Sequence, residues 1–448
     1  MPEIEQLVEL ITGHTYGSWR AQKGWKRPLF IARAEGVYFY DDQGRGYLDF
    51  SSQLMCSNLG HGNRALIEAI KEQAERLPYV APGFVCEVKA RAVEALLEAM
   101  PQGLDQFFFS PSGTEANEAA LKIIRQYLAP QGKYKIISRY RSYHGATAGS
   151  IALTGDHRRW FAEPANKIPG VIFAPDAYCY RCPFGLEYPS CHIQCAEYLD
   201  YMIEEEGNVA AIFIEPVVGT NGIIVPPPEY LPRLREIADA HGALLVVDEV
   251  MSGWYRTGRR FAVDHWNVKP DILTTAKGCT GAYAPVGVTA TTAEIRKYFE
   301  EKFFAHGHTY SMHPLTLAAI PAAVKEYERL IETGLPRRAS EHLARGLREL
   351  MASHKSIGDI RGLGHFWAVE LVRDRETKEP FNTKADKAAL KPLLIDKLSA
   401  EMLKRGVYLS SWYNHFVIAP PLVITEAEID KGLAALDEVL EMADHEAN

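Results

Sequence analysis

The chain has 448 residues, of which 47% are hydrophobic and 24% charged, so it can bury a large core and form more than one domain. Its formal net charge is −8 and it has no basic block, which argues against nucleic acid and anionic membranes as partners. We therefore expect a globular enzyme that acts on small molecules.

Two features of the sequence bear on the cellular compartment. The stretch MPEIEQLVELITGH carries acidic residues where a secretory signal would be basic, and no stretch reaches the roughly 20 apolar residues of a membrane span. Seven cysteines, an odd and partly scattered set, fit a reducing compartment better than a disulfide framework. We therefore expect a cytoplasmic protein.

Apolar, β-branched runs bounded by Gly, Pro or charged residues predict seven strands in the first three quarters of the chain. They lie at residues 106–109, 134–137, 171–173, 209–214, 243–247, 271–275 and 286–290. Between them, helical patterns occupy residues 115–127, 197–205 and 229–240. Continuous apolar strands separated by helices predict an α/β fold with a mostly parallel seven-stranded sheet between helices.

The pattern changes after Met312, where helices at residues 315–330 and 338–353 precede short strands near residues 364–371 and 416–418. Near the other end, GVYFYDDQGRGYLDF predicts a hairpin. We interpret the two chain ends as one smaller α+β domain. Residues 1–55 would form its N-terminal part, residues 56–312 the large domain, and residues 313–448 its C-terminal part.

Ligands of an open α/β sheet bind at the carboxyl ends of its strands, so the loops there are where we expect chemistry. Ser112, Gly113 and Thr114 lie between a strand and a helix, where free N–H groups suit a phosphate, although an ordinary helix cap has the same pattern. Asp248 and Glu249 end a wholly apolar strand. Because adjacent side chains point to opposite faces, we expect only one of them to take part in chemistry.

Two further strand ends carry candidate groups. Lys277 follows a buried strand, where a sheltered amine has a lowered pKa and can form a Schiff base with an aldehyde; a solvated loop lysine is the alternative. Tyr143, beside His144, could stack on a planar cofactor or belong to the core. Together, a phosphate cradle, a carboxylate, an aromatic ring and a sheltered lysine are the groups that hold pyridoxal phosphate.

Seven motifs, taken in order, resemble the class III aminotransferases, which belong to fold type I of the pyridoxal-phosphate enzymes. They are FFFSPSGTEANEAALKI, SYHGAT, FIEPVVGTNGIIVPP, LLVVDEVMSGWYRTG, DILTTAKGCTGAYAPVG, HGHTYSMHPL and IAPPLVITEAEID. Any one of them is a weak indication, whereas seven in order and spacing are specific. The pattern is closest to that of amine or ω-amino acid:pyruvate transaminases.

The resemblance implies pyridoxal 5′-phosphate as the cofactor and assigns roles to the matching residues. Lys277 would be the Schiff-base lysine and proton carrier. Asp248 would pair with the pyridinium nitrogen. Val250 and Tyr143 would cover the two faces of the ring, and Glu215 would orient the cofactor.

The resemblance also implies how the phosphate is bound. Ser112, Gly113 and Thr114 would cradle it, while His144 would follow the stacking tyrosine. Thr309 would reach the phosphate in a neighbouring subunit. We therefore expect a homodimer with shared active sites, with a tetramer as an open alternative.

The expected reaction is ping-pong transfer of an amino group from an amine or ω-amino acid to a keto acid, with pyruvate as the preferred acceptor. Many family members bind the keto-acid carboxylate with an arginine shortly before the APPL motif, but here the equivalent residue is Ser410. Thr220 likewise stands where a glutamate often pairs with that arginine. The candidates for the substrate pocket are Met55, Tyr143, Trp412, Asn414 and His415.

Other activities stay open at this point. They are a 4-aminobutyrate, taurine or diamine aminotransferase that uses 2-oxoglutarate or pyruvate, and a racemase, mutase or lyase on the same scaffold. The missing arginine and glutamate weaken the 4-aminobutyrate alternative.

The run CYRCPFGLEYPSCHIQC contains Cys179, Cys182, Cys191 and Cys195. Four thiolates at this spacing could close around Zn²⁺, but the middle gap is short for the usual patterns and the prolines stiffen the loop without a metal. We expect reduced or partly disulfide-linked thiols, no catalytic metal, and no part in the chemistry for this run.

Overall fold

The computed structural model describes residues 2–166 and 168–448. Its helices are α1 Pro2–His14, α2 Ser52–Met55, α3 Arg64–Arg76, α4 Glu87–Ala99, α5 Gly113–Leu128, α6 Ala148–Leu153, α7 Arg158–Asn166, α8 Gln194–Glu206, α9 Tyr230–Ala240, α10 Ala293–Tyr298, α11 Pro314–Leu317, α12 Ala319–Glu332, α13 Leu335–Ser353, α14 Lys384–Ala388, α15 Leu394–Lys404 and α16 Glu426–Asp444. Within the described ranges, no helix combines the length and the apolar character that crossing a bilayer requires.

The strands are β1 Ile31–Glu35, β2 Tyr38–Asp41, β3 Gly46–Asp49, β4 Gln106–Ser110, β5 Lys135–Arg139, β6 Val171–Ala174, β7 Val209–Ile214, β8 Leu244–Asp248, β9 Ile272–Thr275, β10 Gly287–Thr291, β11 Ile357–Leu363, β12 Phe366–Asp374, β13 Glu379–Pro380, β14 Val407–Tyr408, β15 Ser410–Ser411 and β16 His415–Ile418.

Seven of these strands form a central sheet in the order β4-β10-β9-β8-β7-β5-β6. Pairing is parallel from β6 through β9, and β10 runs antiparallel to both of its neighbours. Every residue of β7, β9 and β10 is buried, as expected for strands covered on both faces. The predicted α/β class and mostly parallel sheet are confirmed, and the strand limits differ from prediction by at most two residues.

Two smaller sheets involve the chain ends, in the orders β1-β2-β3-β14 and β11-β12-β16-β15. β3 pairs in parallel with β14, placing Leu48 opposite Val407. One hydrophobic cluster contains Leu48 and Phe50 together with Leu347 and Ile418. The two ends of the chain therefore share a core, while the domain limits at residues 55 and 312 stay predictions.

The direction of the strands explains where the candidate residues gather. β5, β7, β8 and β9 are parallel, and β4 has the direction of β9 because both run antiparallel to β10. Their carboxyl ends therefore lie along one edge of the sheet. The loops that follow these five strands contain most of the residues predicted to act on the cofactor.

The shared core predicts a large effect for one small-domain substitution. Leu48→Ala should lower the free energy of unfolding by about 2–5 kcal/mol, because the removed methyl groups leave a cavity between β3 and the C-terminal elements. Urea unfolding followed by circular dichroism measures this loss. Leu97→Ala is the matched control, since Leu97 is 51% exposed and should change stability little; equal losses would contradict the shared core.

Candidate active site

A cavity of about 600 Å³ lies at the carboxyl edge of the central sheet. The residues that line it include these sequence candidates: Met55, Ser112, Gly113, Thr114, Tyr143, His144, Glu215, Asp248, Val250, Lys277 and Trp412. The fold thus brings together residues that are as much as 357 positions apart in the chain (412 minus 55).

Lys277 lies just after β9 and opens the 3-10 turn Lys277–Thr280. Its backbone φ is +46°, a strained value for a residue with a side chain and one that is enriched at functional sites. Burial lowers the pKa of Lys277, and the acidic groups of Cys56, Asp248 and Glu215 oppose the shift. At neutral pH more of this amine is therefore unprotonated than that of a surface lysine, as a nucleophile or base requires.

Asp248 ends β8 and is almost completely buried. Its Oδ2 accepts hydrogen bonds from Asn117 Nδ2 at 2.7 Å and from His144 Nδ1 at 2.8 Å, and its Oδ1 accepts from the backbone N–H of Val250 at 2.9 Å. Three donors compensate the carboxylate for its lost hydration. The carboxylate is therefore held in one orientation at the cavity.

Glu249, the next residue, has a different environment. Its carboxylate accepts hydrogen bonds from the backbone N–H groups of Ala262 and Val263, at 3.0 and 2.7 Å, and from the Ser252 hydroxyl at 2.5 Å. Burial raises the pKa of Glu249 to about 7, against the effect of these donors. The two adjacent carboxylates thus have separate partners, and Glu249 holds a loop rather than facing the cavity.

The start of α5 provides a site for an anion. The Ser112 hydroxyl caps the helix by accepting from the backbone N–H of Glu115 at 3.2 Å, and the first-turn N–H groups have no partner within the helix. Gly113 faces Val250, whose Cγ1 would lie 2.6 Å from a Cβ at that position. Only glycine fits here, so the backbone of this turn stays open to the cavity.

Glu215 links two loops that border the cavity. Its Oε1 accepts from the backbone N–H of Tyr143 at 3.0 Å, and its Oε2 accepts from that of Gly219 at 2.8 Å. Burial raises the pKa of Glu215 to about 7, with the nearby Asp248 adding to the shift. The side chain therefore fixes the backbone of Tyr143 and of Gly219 at the cavity.

Comparison with known proteins identifies the family. The profile of the Aminotransferase class-III family matches residues 20–440. The chain belongs to the class III aminotransferases. It is therefore a pyridoxal-phosphate-dependent aminotransferase of fold type I.

Three similar proteins show the range of activities around this aminotransferase. A leucine/methionine racemase of Thermococcus litoralis is 35% identical over 92% of this chain and 90% of its own. A taurine–pyruvate aminotransferase of Bilophila wadsworthia is 33% identical over 97% of this chain and 96% of its own. The structure of taurine:2-oxoglutarate aminotransferase from Bifidobacterium kashiwanohense, in complex with PLP and glutamate, is 34% identical, with a TM-score of 0.92 over 98% of both chains.

Two predicted pocket residues of the aminotransferase, Asn414 and His415, are not among those that line the cavity. Both are buried where β16 packs against β12: Asn414 Nδ2 donates to Glu370 Oε1 at 3.0 Å, and His415 Nε2 donates to the carbonyl of Thr220 at 3.0 Å. Their side chains therefore bond within the protein interior instead of lining this cavity, and their role in the substrate pocket stays a prediction.

Thr309 is exposed and lies outside the cavity of its own chain, where its carbonyl accepts from the Tyr79 hydroxyl at 3.0 Å. Its predicted contact with a second subunit stays a prediction. Ser410 and Thr220, the two positions where the family's arginine and glutamate are replaced, do line the cavity.

Sequence reasoning missed Arg158, the first residue of α7, which lines the cavity and is 7% exposed. Its guanidinium lies 3.8 Å from the ring centroid of Tyr143, 4.6 Å from that of Trp412 and 5.3 Å from that of Trp19. Its Nε donates to Asp156 Oδ2 at 2.8 Å, and Nη2 binds the same oxygen. The three aromatic rings come from distant segments, so no local motif could have indicated this site.

The four clustered cysteines lie apart from the cavity of the aminotransferase and surround a separate void of about 20 Å³. Burial, followed by the nearby thiolates of Cys191 and Cys182, raises the pKa of the Cys179 thiol. Burial, followed by the thiolate of Cys179, raises the pKa of Cys195 to about 12. Within the described residues, no three His, Cys, Asp or Glu side chains are arranged to hold a metal ion.

The raised pKa of Glu249 predicts a pH effect on stability. A carboxyl group with a pKa of about 7 in the folded protein and 4.5 in the unfolded chain stabilises the folded state most below pH 4.5. This stabilisation falls as the pH rises towards 7. Relative to Glu249→Gln, the wild type should therefore lose about 3 kcal/mol of stability between pH 4.5 and 7.5. Urea unfolding of both proteins across this range measures the difference, and a pH-independent difference would contradict it.

Proposed function

We propose that this aminotransferase moves an amino group to pyruvate from donors that carry a second, acidic group, such as ω-amino acids and aminosulfonates. The observation that carries this proposal is the buried Arg158 beside a cavity that also contains Lys277. Among the lining residues these two are the cationic ones. Lys277 would serve the chemistry, which leaves Arg158 to bind an anionic group.

The residues present fit pyridoxal phosphate. The open turn at Gly113, with Ser112 and Thr114, would hold the phosphate, and the fixed carboxylate of Asp248 would pair with the ring nitrogen. Tyr143 and Val250 would hold the ring from its two faces.

One side chain of this protein, Lys277, would carry the proton during the reaction. When bound, pyridoxal phosphate withdraws electrons from the substrate carbon that bears the nitrogen. Lys277 Nζ would act first as a base, taking the proton from that carbon. It would then act as an acid and give up a proton. Its lowered pKa allows it to be neutral for the first step.

Arg158 can bind an anion because only part of its guanidinium is occupied. Asp156 accepts hydrogen bonds from Nε and Nη2, and the Arg158 side chain lines the cavity. The rings of Tyr143 and Trp412 hold the guanidinium in place through cation–π contacts. A fixed guanidinium recognises a carboxylate or sulfonate by charge-assisted hydrogen bonds.

The use of one site for both half-reactions supports pyruvate as the acceptor. In a ping-pong reaction the donor and the keto acid occupy the same cavity in turn, so one arginine can bind the acidic group of each. Ser410 takes the place of the family's mobile arginine, and Arg158 is the cation that remains. A relative that acts on taurine and pyruvate is consistent with this choice.

A racemase is the second candidate, since a leucine/methionine racemase is 35% identical to this chain. Both reactions begin with removal of a proton from the same carbon. They differ because transamination converts the cofactor to its amine form, which absorbs differently. Loss of optical activity from L-leucine without that absorbance change would favour the racemase.

We also propose a homodimer in the cytoplasm, with a tetramer as the alternative assembly. Phe303 and Tyr310, near Thr309, are 89% and 59% exposed, and such apolar exposure favours association with a second copy. All seven cysteines are free thiols, which suits a reducing compartment.

Removal of the lysine tests the chemistry. Lys277→Ala should lower turnover with taurine and pyruvate at least about 10³-fold, because proton transfer by a positioned group contributes roughly 10²–10⁴-fold. Alanine formation from pyruvate is the measurement. The control is cofactor absorbance and circular dichroism of the variant, which should still bind pyridoxal phosphate. Turnover within tenfold of the wild type would reject this role.

Removal of the arginine tests the substrate class. Arg158→Ala should raise the KM for β-alanine, taurine and pyruvate roughly 10- to 100-fold, since a hydrogen bond to a charged group contributes about 1.5–3 kcal/mol. Single-turnover reduction of the cofactor by 1-phenylethylamine, which has no acidic group, should change little.

The neighbouring Arg159 offers a matched control for this test. Its guanidinium lies 4.0 Å from the Phe173 ring centroid, and it is not among the residues that line the cavity. Arg159→Ala removes the same charge one position away and should leave the KM values unchanged. An equal loss for 1-phenylethylamine and taurine in Arg158→Ala would contradict the proposed anion site, while leaving the aminotransferase activity itself intact.

A further inference from the structure

The short helical turn α2, beside the cavity, has an uncommon backbone conformation. Ser52, Gln53 and Met55 have φ values of +47°, +57° and +54°, a region that residues with side chains rarely adopt. Gln53 also has a ψ of −101°, so its conformation is close to that of a γ-turn with positive φ, which is rare and strained. Such strain persists only where the surrounding structure compensates for it, and it is concentrated at functional sites.

This strained turn forms part of the cavity wall. Leu54 and Met55 both line the cavity. Met55 is buried in a cluster with Met251 and Val417, which line the cavity as well, whereas Leu54 is 65% exposed. Because so much of Leu54 is free of packing, the position of its side chain depends mainly on the backbone of the turn.

The carboxylate of Asp49 holds this backbone. Asp49 ends β3 and is completely buried. Its Oδ1 accepts a hydrogen bond from the backbone N–H of Gln53 at 2.8 Å, and its Oδ2 accepts one from Gln53 Nε2 at 3.0 Å. Hydrogen bonds to an ionised acceptor are roughly twice as strong as neutral ones, so this carboxylate can hold Gln53 in a strained conformation.

Other contacts fix the Asp49 carboxylate itself. The Ser57 hydroxyl donates to Oδ2 at 3.4 Å, and His61 Nε2 lies 3.3 Å from the same oxygen. Asp49 is not among the residues that line the cavity. Its side chain therefore acts on the cavity through the turn that it holds.

We propose that Asp49 is a positioning residue for donor specificity. It holds the strained turn so that Leu54 and Met55 form a fixed apolar wall for the uncharged part of the amino donor. A fixed wall binds an apolar substituent well because the free energy of the contact grows with the apolar area removed from water. The wall acts on an apolar amine whether or not Arg158 binds an anion, so this proposal goes beyond the proposed substrate class.

Binding of an apolar donor to two Asp49 variants tests the proposal. Asp49→Asn keeps one oxygen for the Gln53 N–H but loses the charge, whereas Asp49→Ala loses every side-chain contact. The apparent Kd of 1-phenylethylamine, from single-turnover reduction of the cofactor, should rise roughly 3-fold in Asp49→Asn and about 10-fold in Asp49→Ala, because bonds to a charged acceptor are lost. The limiting rate and the KM for pyruvate should change less than about twofold, since the carboxylate bonds within residues 51–61.

A matched control and a rescue show whether the effect passes through the turn. Asp41, at the end of β2, accepts from the Tyr47 hydroxyl at 3.0 Å and from the backbone N–H of Arg45 at 2.8 Å. Asp41→Asn therefore alters a hydrogen-bonded carboxylate outside the turn and should leave the Kd unchanged. Adding Gln53→Gly to Asp49→Asn should return the Kd to within about twofold of the wild type, because glycine adopts a positive φ without strain.

Four results overturn the proposal. They are no cofactor reduction by 1-phenylethylamine in the wild type, an unchanged Kd in both Asp49 variants, an equal loss for 1-phenylethylamine and pyruvate, and no recovery in the glycine double variant. Asp49→Asn keeps the test valid where Asp49→Ala does not fold. Arg158→Ala separates this proposal from the anion site, because it should weaken pyruvate binding and leave 1-phenylethylamine unchanged, the reverse of the Asp49 pattern.

Discussion

The buried carboxylate of Asp248 is the constraint on which the active site depends. A charge in the interior is stable only with donors around it, and these come from α5, from the loop after β5 and from its own loop. Asn117 donates to Asp248 and also accepts from the Thr274 hydroxyl at 2.6 Å, so the same network reaches β9. The position of Lys277, three residues beyond Thr274, follows from that arrangement.

The substrate side of the cavity has a different physical basis. Arg158 is held there by an acidic neighbour two residues away and by aromatic rings from three distant segments. The buried Glu370 of β12 is shared by Arg361 and Arg181. Burial opposes ionisation of Glu370, but these two cations lower its pKa to about 2. The cofactor half is thus built on the sheet, whereas the substrate half rests on contacts between the two halves of the chain.

The sequence predicted the elements of the central sheet more closely than the elements around the substrate side of the cavity. Strands such as β7, buried on both faces, are continuous apolar runs and were predicted to within two residues. The helix predicted at residues 315–330 is two helices that meet at Ala318, because periodicity alone does not show a break between two apolar turns. The sequence did not show that Asn414 and His415 bond to Glu370 and Thr220 in the interior, because a short segment near a pocket does not reveal which side chains turn towards it.

The sequence by itself determined the α/β class, the family and the residues suited to the cofactor, since local motifs at strand ends carry that chemistry. Only the tertiary structure decided the substrate side: it placed Arg158 in the cavity between Tyr143 and Trp412, and it turned Asn414 towards Glu370. The physical reason is that a binding surface made of side chains from several distant segments depends on how those segments pack. Periodicity and motif spacing record local preferences and do not contain that packing.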